Sequence, residues 1–119
     1  MGQAGRERGV VDYVPERGQF IRLAFDPQAG HEQMGSPALV VSHTKFNRQM
    51  GFIFVCPISN TQRQNPFYVV IPDGEAVTGV VMADQLRSLD YRARRTQEIG
   101  ECSQDLLQEI LSRIEPIMY

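Results

Sequence analysis

Side chains able to do chemistry fall into three polar segments, each lying between apolar runs. Such segments are expected to be loops, and loops on a rigid scaffold carry a disproportionate share of catalytic and binding residues. A polar loop is more often simply solvated, so each segment alone is weak support for a site. Their members are Asp26, His31, Glu32 and Gln33; then Ser59, Asn60, Thr61, Gln62 and Arg63; then Asp84, Gln85, Arg87, Arg92, Arg94 and Arg95.

These residue types suit metal-free cleavage of RNA through the 2′-OH. That reaction needs a base for the 2′-OH, an acid for the 5′-oxygen and a cation for the phosphorane charge. Glu32, His31 or Asp84 could act as base or acid, and arginine matches phosphate oxygens with a fork of donors. The sequence has no CxxC or HExxH spacing and no glycine-rich phosphate motif, so we expect no metal and no cofactor. Cys56 lies in an apolar run, which makes a thiol inert.

The net charge of −2 hides an uneven distribution. Residues 45–95 carry seven basic and four acidic side chains, a balance of +3, whereas residues 96–119 carry one basic and five acidic, a balance of −4. Uneven charge is usually just a solvated surface. The more specific interpretation is a phosphate-binding face on the middle of the chain.

Length and composition predict one domain over residues 13–119, after a flexible leader at residues 1–12. Neither a membrane-spanning run nor a secretory signal is apparent. Two isolated cysteines are typical of a reduced, cytoplasmic protein.

Apolar periodicity predicts short strands at residues 19–25, 37–42, 52–57, 67–71, 79–82 and 86–90. Residues 26–36 and 59–65 are expected to be loops, and residues 43–51 a connection. The tail predicts a helix with Ser103 as its N-cap, an apolar stripe from Leu106 to Ile114, and an end at Pro116. We therefore expect a small twisted barrel or sandwich capped by a C-terminal helix.

Three stretches together resemble the MazF/PemK (Kid, ChpB) family of bacterial toxins. They are FDPQAGHEQMGSPALVVS at residues 25–42, VCPISNTQRQNPFYVVI at residues 55–71 and GVVMADQLRSLDYRAR at residues 79–94. The resemblance runs from about Tyr13 to the tail helix. It implies a mainly β chain with α, an SH3-like (PemK/CcdB-type) small β-barrel with a C-terminal helix.

The resemblance also implies a homodimeric, metal-independent endoribonuclease of the bacterial cytoplasm. Such a toxin cuts single-stranded mRNA at short sequences, leaves a 2′,3′-cyclic phosphate and a 5′-hydroxyl, and is blocked by a MazE-like antitoxin. Two other functions stay open on the same barrel. One is an inactive module that binds antitoxin or RNA; the other is a gyrase-directed toxin of the CcdB kind, which the GHEQ and ADQ motifs disfavour.

The resemblance assigns roles to individual positions. Glu32, His31 and Asp84 match catalytic positions, and Ser59 stands where many members have a catalytic threonine. RNA binding is expected from a further set: Gln33, Asn60, Thr61, Arg63, Arg87, Arg92 and Arg94.

One position departs from the family pattern. Ser36 stands where members usually have a catalytic arginine before the strand, and the loop is one residue shorter. A serine cannot neutralise a phosphorane, and loss of such a donor typically costs on the order of 10²–10³ in rate. Three explanations fit: a change selected against toxicity, a naturally attenuated member, or replacement by another arginine such as Arg87 or Arg63.

Overall fold

The computed structural model describes residues 13–24 and 34–118. That part of the chain forms seven strands and two α-helices, with one turn of 3₁₀ helix at Ala83–Gln85. No helix in it is long and apolar enough to cross a membrane. The elements are β1 Gln19–Ala24, β2 Met34–Val40, α1 Thr44–Met50, β3 Ile53–Ser59, β4 Tyr68–Val70, β5 Val80–Met82, β6 Arg87–Leu89, β7 Thr96–Glu101 and α2 Gln104–Met118.

The strands form one antiparallel sheet in the order β4-β5-β3-β2-β1-β7, with β6 also paired to β3. The expectation of a mainly β chain with a C-terminal helix is confirmed. The long central strand β3 pairs with three neighbours, β2, β5 and β6, and this arrangement positions the candidate site.

Side chains from alternate positions of the strands form two apolar clusters, as the period of two in a strand requires. Leu39 and Cys56 belong to the larger cluster, against which Leu106 and Ile110 of α2 pack. Val40 and Val55, their direct neighbours in sequence, belong to the smaller cluster. Both faces of the sheet are therefore buried along residues 38–40 of β2 and 55–56 of β3, which explains the apolar runs there.

Helix α1 occupies the segment for which the sequence predicted only a connection. Its single buried side chain is Asn47, whose Nδ2 donates to the carbonyl oxygens of Pro15 (2.8 Å) and Ser42 (3.3 Å). The hydroxyl of Tyr91 donates to the backbone carbonyl of Asn47 at 2.8 Å. Because these contacts are tertiary and the helix lacks an apolar stripe, periodicity did not reveal it.

The tail helix begins as predicted but ends later. Ser103 Oγ accepts a hydrogen bond from the backbone N–H of Leu106 at 3.1 Å, which confirms the N-cap. The expected end at Pro116 is wrong, because α2 continues to Met118 with Pro116 inside its last turn. A proline there removes one backbone donor but leaves the preceding turns intact.

The strand predictions are confirmed with shifted ends, and β7 was not predicted. Its sequence TQEIGE carries little apolar signal, and its order comes from pairing with β1. The expected loop at residues 26–36 is wrong at its end, since Met34 to Ser36 belong to β2. Ser59, expected in an exposed loop, is instead the last, half-buried residue of β3. The leader at residues 1–12 lies outside the described residues.

Candidate functional site

An open groove of about 470 Å³ lies where β2 begins, β3 ends and β6 begins. Its volume falls within the range of about 300–1,000 Å³ that is usual for ligand pockets. It brings together residues from separate predicted clusters. Among the described residues, its lining consists of Ser36, Pro37, Pro57, Ile58, Ser59, Asn60, Thr78, Met82, Gln85 and Arg87.

The groove forms where β3 changes its partner. One edge of β3 pairs with β6 up to Val55, opposite Arg87, and then with β5 from Ile58 onward, opposite Val81. Pro57, which has no backbone N–H to give to a ladder, lies between the two pairings. Cys56 and Pro57 therefore have no partner on this edge of β3, and the 3₁₀ turn that joins β5 to β6 contributes Gln85 to the groove beside them.

A β-bulge brings Ser36 to the groove. Arg22 pairs with Pro37 and Ala24 with Met34, so two residues of β2, Gly35 and Ser36, lie opposite one residue of β1. A side chain at Gly35 would collide with the carbonyl oxygen of Leu23, which accounts for the glycine. Bulges re-aim neighbouring side chains, and Ser36 is exposed.

A second glycine fixes the other wall of the groove. Gly79 has φ +130°, and a Cβ added to it would lie 2.8 Å from the carbonyl oxygen of Ser59 and 3.3 Å from Oδ1 of Asn60. The backbone before β5 therefore packs directly against Ser59 and Asn60. This contact holds both candidate residues against the chain that enters β5.

The 3₁₀ turn presents Asp84 and Gln85 differently. Ala83 is buried, and its N–H donates to the carbonyl of Phe67 at 3.0 Å, which anchors the turn. Gln85 lines the groove, and its Nε2 donates to the hydroxyl of Tyr68 at 3.3 Å. Asp84 is exposed beside the groove but is not part of its lining. Its catalytic role stays a prediction.

Four arginines were expected to contact RNA, and only Arg87 lies in the groove lining of the described chain. Arg63 is exposed in the loop after β3, where its backbone N–H donates to Thr61 Oγ1 at 3.1 Å. Arg92 lies beside Gly51, at the other end of β3. Six steps of extended strand, at about 3.3 Å each, put the two ends ~20 Å apart. Arg94 is exposed as well, and the RNA contacts expected of Arg63, Arg92 and Arg94 stay predictions.

Three candidate residues, His31, Glu32 and Gln33, lie outside the described residues. In sequence they directly precede Met34, the first residue of β2, and β2 carries Ser36 to the groove. Thr78 also lines the groove, although no sequence motif pointed to it.

Neither cysteine has the character of a nucleophile. Burial raises the pKa of the Cys56 thiol to about 12, and the charge of Asp84 adds to the shift. Burial and then Glu75 raise the pKa of Cys102 to about 11. Both thiols are therefore neutral near pH 7, as was expected for Cys56. Across residues 13–24 and 34–118, no three His, Cys, Asp or Glu side chains are grouped so as to hold a metal ion.

Comparison with known proteins decides the family. Residues 16–118 match the family described as "PemK-like, MazF-like toxin of type II toxin-antitoxin system". The chain belongs to this family. The resemblance inferred from the three motifs is thus confirmed.

Curated relatives of the chain carry an enzymatic name. This chain is 38% identical over 109 residues to the endoribonuclease toxin ChpB of Escherichia coli K12, and the match covers 87% of this chain and 93% of the relative. It is 36% identical over 110 residues to the endoribonuclease toxin MazF of the same strain, covering 92% and 98%.

Solved structures of family members share the fold. MazF from Deinococcus radiodurans superposes with a TM-score of 0.75 at 42% identity, covering 90% of this chain and 98% of that one. A MazE–MazF structure from the same organism gives a TM-score of 0.77 at 36% identity, covering 90% and 97%. The chain therefore has the MazF fold, as the resemblance implied.

Proposed function

We propose that this protein is a toxin endoribonuclease that cuts single-stranded RNA in the groove at the end of β3, without a metal ion. The single observation that carries the proposal is the composition of that groove. Ser59, Asn60 and Arg87 meet there, which combines a hydroxyl, an amide and a guanidinium suited to a phosphodiester and its neighbouring base. Family membership and the names of the curated relatives support the same activity and favour RNA over gyrase as the target.

Single-stranded RNA fits an open groove with polar walls better than a duplex does. Unpaired bases can be splayed out, so that amides such as those of Asn60 and Gln85 reach their edges. Both residues line the groove. We propose that they contribute to recognition of a short sequence.

The chemistry follows from the 2′-OH. A base, Glu32 or His31, takes the 2′-OH proton as the 2′-oxygen attacks phosphorus, and the P–O5′ bond then breaks. Asp84 or His31 gives a proton to the leaving 5′-oxygen. The products are a 2′,3′-cyclic phosphate and a 5′-hydroxyl. Ser59 contributes a hydroxyl donor to the phosphoryl oxygens.

Ser36 lowers the expected rate. It lines the groove from β2 and carries no charge, so it cannot stabilise the phosphorane as an arginine would. The same feature supports the second candidate, a module of this fold that binds RNA or antitoxin without cutting.

A cleavage assay separates the two candidates. A long single-stranded RNA is incubated in EDTA with the protein and with Ser36→Arg, and product ends are identified by mass spectrometry. We expect cyclic phosphate and 5′-hydroxyl ends from both, with Ser36→Arg faster by about tenfold or more. Absence of cleavage by both proteins would refute the ribonuclease proposal, and binding without cleavage would support the second candidate.

We also propose that the chain forms a homodimer and binds a MazE-like antitoxin. A family member from Deinococcus radiodurans has been crystallised with MazE. The basic middle of this chain, with its balance of +3, is complementary to an acidic segment. Light scattering of the purified protein tests the dimer: a mass of one chain would contradict it.

A further inference from the structure

The groove holds a single formal charge among its described lining residues. Of the ten described side chains that line it, nine are uncharged and the tenth is Arg87. A dianionic phosphorane bound there would meet hydroxyls and amides on most sides and a cation on one. The position of Arg87 therefore decides where that charge can be stabilised.

Arg87 has a rigid backbone and an exposed side chain. It is the first residue of β6 and pairs with Val55 of β3, which is only 1% exposed. Leu89, two residues later, packs against the smaller apolar cluster. A donor held by such a ladder needs little reorganisation when charge develops in front of it.

The register of β3 puts Arg87 and Ser59 on one face of the sheet. Residues directly opposite each other in an antiparallel pair share a face, so Arg87 lies on the face of Val55. Pro57 and Ser59 follow Val55 at intervals of two and lie on that same face. All of Pro57, Ser59 and Arg87 line the groove, so the guanidinium and the hydroxyl can approach one phosphate from two sides.

We propose that Arg87 is the catalytic cation of this site, binding the phosphoryl group that undergoes cleavage; this rests on the ribonuclease function proposed above. Two N–H groups of its guanidinium donate to the non-bridging oxygens as the bond from the 2′-oxygen to phosphorus forms and the bond to the 5′-oxygen breaks. Arginine stays protonated throughout. Arg87 therefore moves no proton, and the base and acid remain separate groups.

The test separates catalysis from binding. Single-turnover cleavage rates are measured for the wild type, Arg87→Gln and Arg87→Lys, together with Kd for a 2′-deoxy-substituted, uncleavable version of a fragment that the protein cuts. We expect Arg87→Gln to lower the rate by about 10²–10³-fold and to change Kd by less than about tenfold, since one phosphate contact is a small part of RNA affinity. Arg87→Lys keeps the positive charge but loses the paired N–H donors of the guanidinium. Its rate should lie between those of the wild type and Arg87→Gln.

A matched control and a rescue complete the experiment. Arg48→Gln makes the same change of charge on the exposed surface of α1 and should leave rate and Kd unchanged. Ser36 lines the same groove from β2, so Ser36→Arg added to Arg87→Gln should restore at least about tenfold of the lost rate. Circular dichroism of each variant verifies its fold.

Each outcome distinguishes the inference from the proposed function. An active wild type with Arg87→Gln cutting within about threefold of it would overturn the role of Arg87 alone. Equal losses of rate and affinity would make Arg87 a binding residue and would also overturn it. An inactive wild type beside an active Ser36→Arg would show that Arg87 cannot supply the charge, whereas inactivity of both would refute the ribonuclease function itself.

Discussion

Gly79 and Ser59 are in backbone contact across the wall of the groove, with no room for a side chain between them. A Cβ at Gly79 would lie 2.8 Å from the Ser59 carbonyl oxygen, and the glycine has φ +130°. The carbonyl of Gly79 in turn accepts from the N–H of Ile71 at 2.9 Å. The chain entering β5 therefore serves as a support for the last residue of β3.

Replacing that glycine should disturb the site as well as the fold. We expect Gly79→Ala to lower the free energy of unfolding by about 1–3 kcal/mol, because the backbone conformation is strained for alanine and the new methyl group displaces Ser59. Gly74→Ala is the control, since Gly74 has φ +96° but no atom within 4 Å of an added Cβ. Urea unfolding and cleavage rates are compared. Equal effects of the two substitutions on both quantities would contradict the supporting role of Gly79.

The hydroxyl of Ser59 is expected to be functional. Ser59→Ala removes one donor from the groove and should lower the cleavage rate by about 10²-fold without a matching loss of stability. Ser59→Thr keeps the hydroxyl and should retain most of the activity. If alanine and threonine at this position give the same rate, the hydroxyl has no part in the reaction.

Asn47 should matter for stability alone. Its amide satisfies the carbonyls of Pro15 and Ser42, and its Oδ1 accepts from Ser42 Oγ at 2.5 Å. Asn47→Ala leaves these groups without partners in a buried place, so we expect a loss of about 2–3 kcal/mol in urea unfolding. Gln49→Ala, exposed on the same helix, should change stability by less than about 0.5 kcal/mol. Similar midpoints for the two variants would argue against the network.

The buried thiol of Cys56 gives a pH dependence. Its pKa is raised from the ordinary value of 9.0 to about 12 in the folded state, so the folded protein holds this proton more tightly than the unfolded chain. The resulting stabilisation is complete below pH 9 and is lost as pH rises from 9 towards 12. Urea midpoints between pH 8 and about 10.5 should therefore fall less steeply for Cys56→Ala than for the wild type. Parallel curves, or rapid alkylation of native Cys56 near pH 7, would contradict its burial.

Sequence reasoning predicted those parts of the fold that depend on local pattern. The runs around Val40 and Val55 are apolar on both faces and were recognisable as buried strands, and the stripe after Ser103 marked α2. Helix α1 and strand β7 were not predicted. The contacts of Asn47 and the pairing of β7 with β1 join residues far apart in sequence, and a pattern read over a few neighbouring residues does not contain them. The ends of elements were least predictable, as Pro116 and Met34 show.

The site was predictable in residue types but not in geometry. Ser59 and Arg87 were singled out as members of separate polar segments, yet only the register of β3 with β5 and β6 places them in one groove. Thr78 could not be found from sequence, since its place depends on the contact of Gly79 with Ser59. The departure at Ser36 was visible in the sequence, and the bulge that exposes it was not.

The most direct test of the central claim is to map where RNA binds. Amide chemical shifts of the labelled protein are followed by NMR during titration with a 2′-deoxy-substituted version of a fragment that it cuts. We predict the largest shifts at groove residues, led by Ser36, Ser59, Asn60, Gln85 and Arg87. Largest shifts around α1 and Arg92, with the groove unchanged, would contradict the claim that RNA is cut at the end of β3.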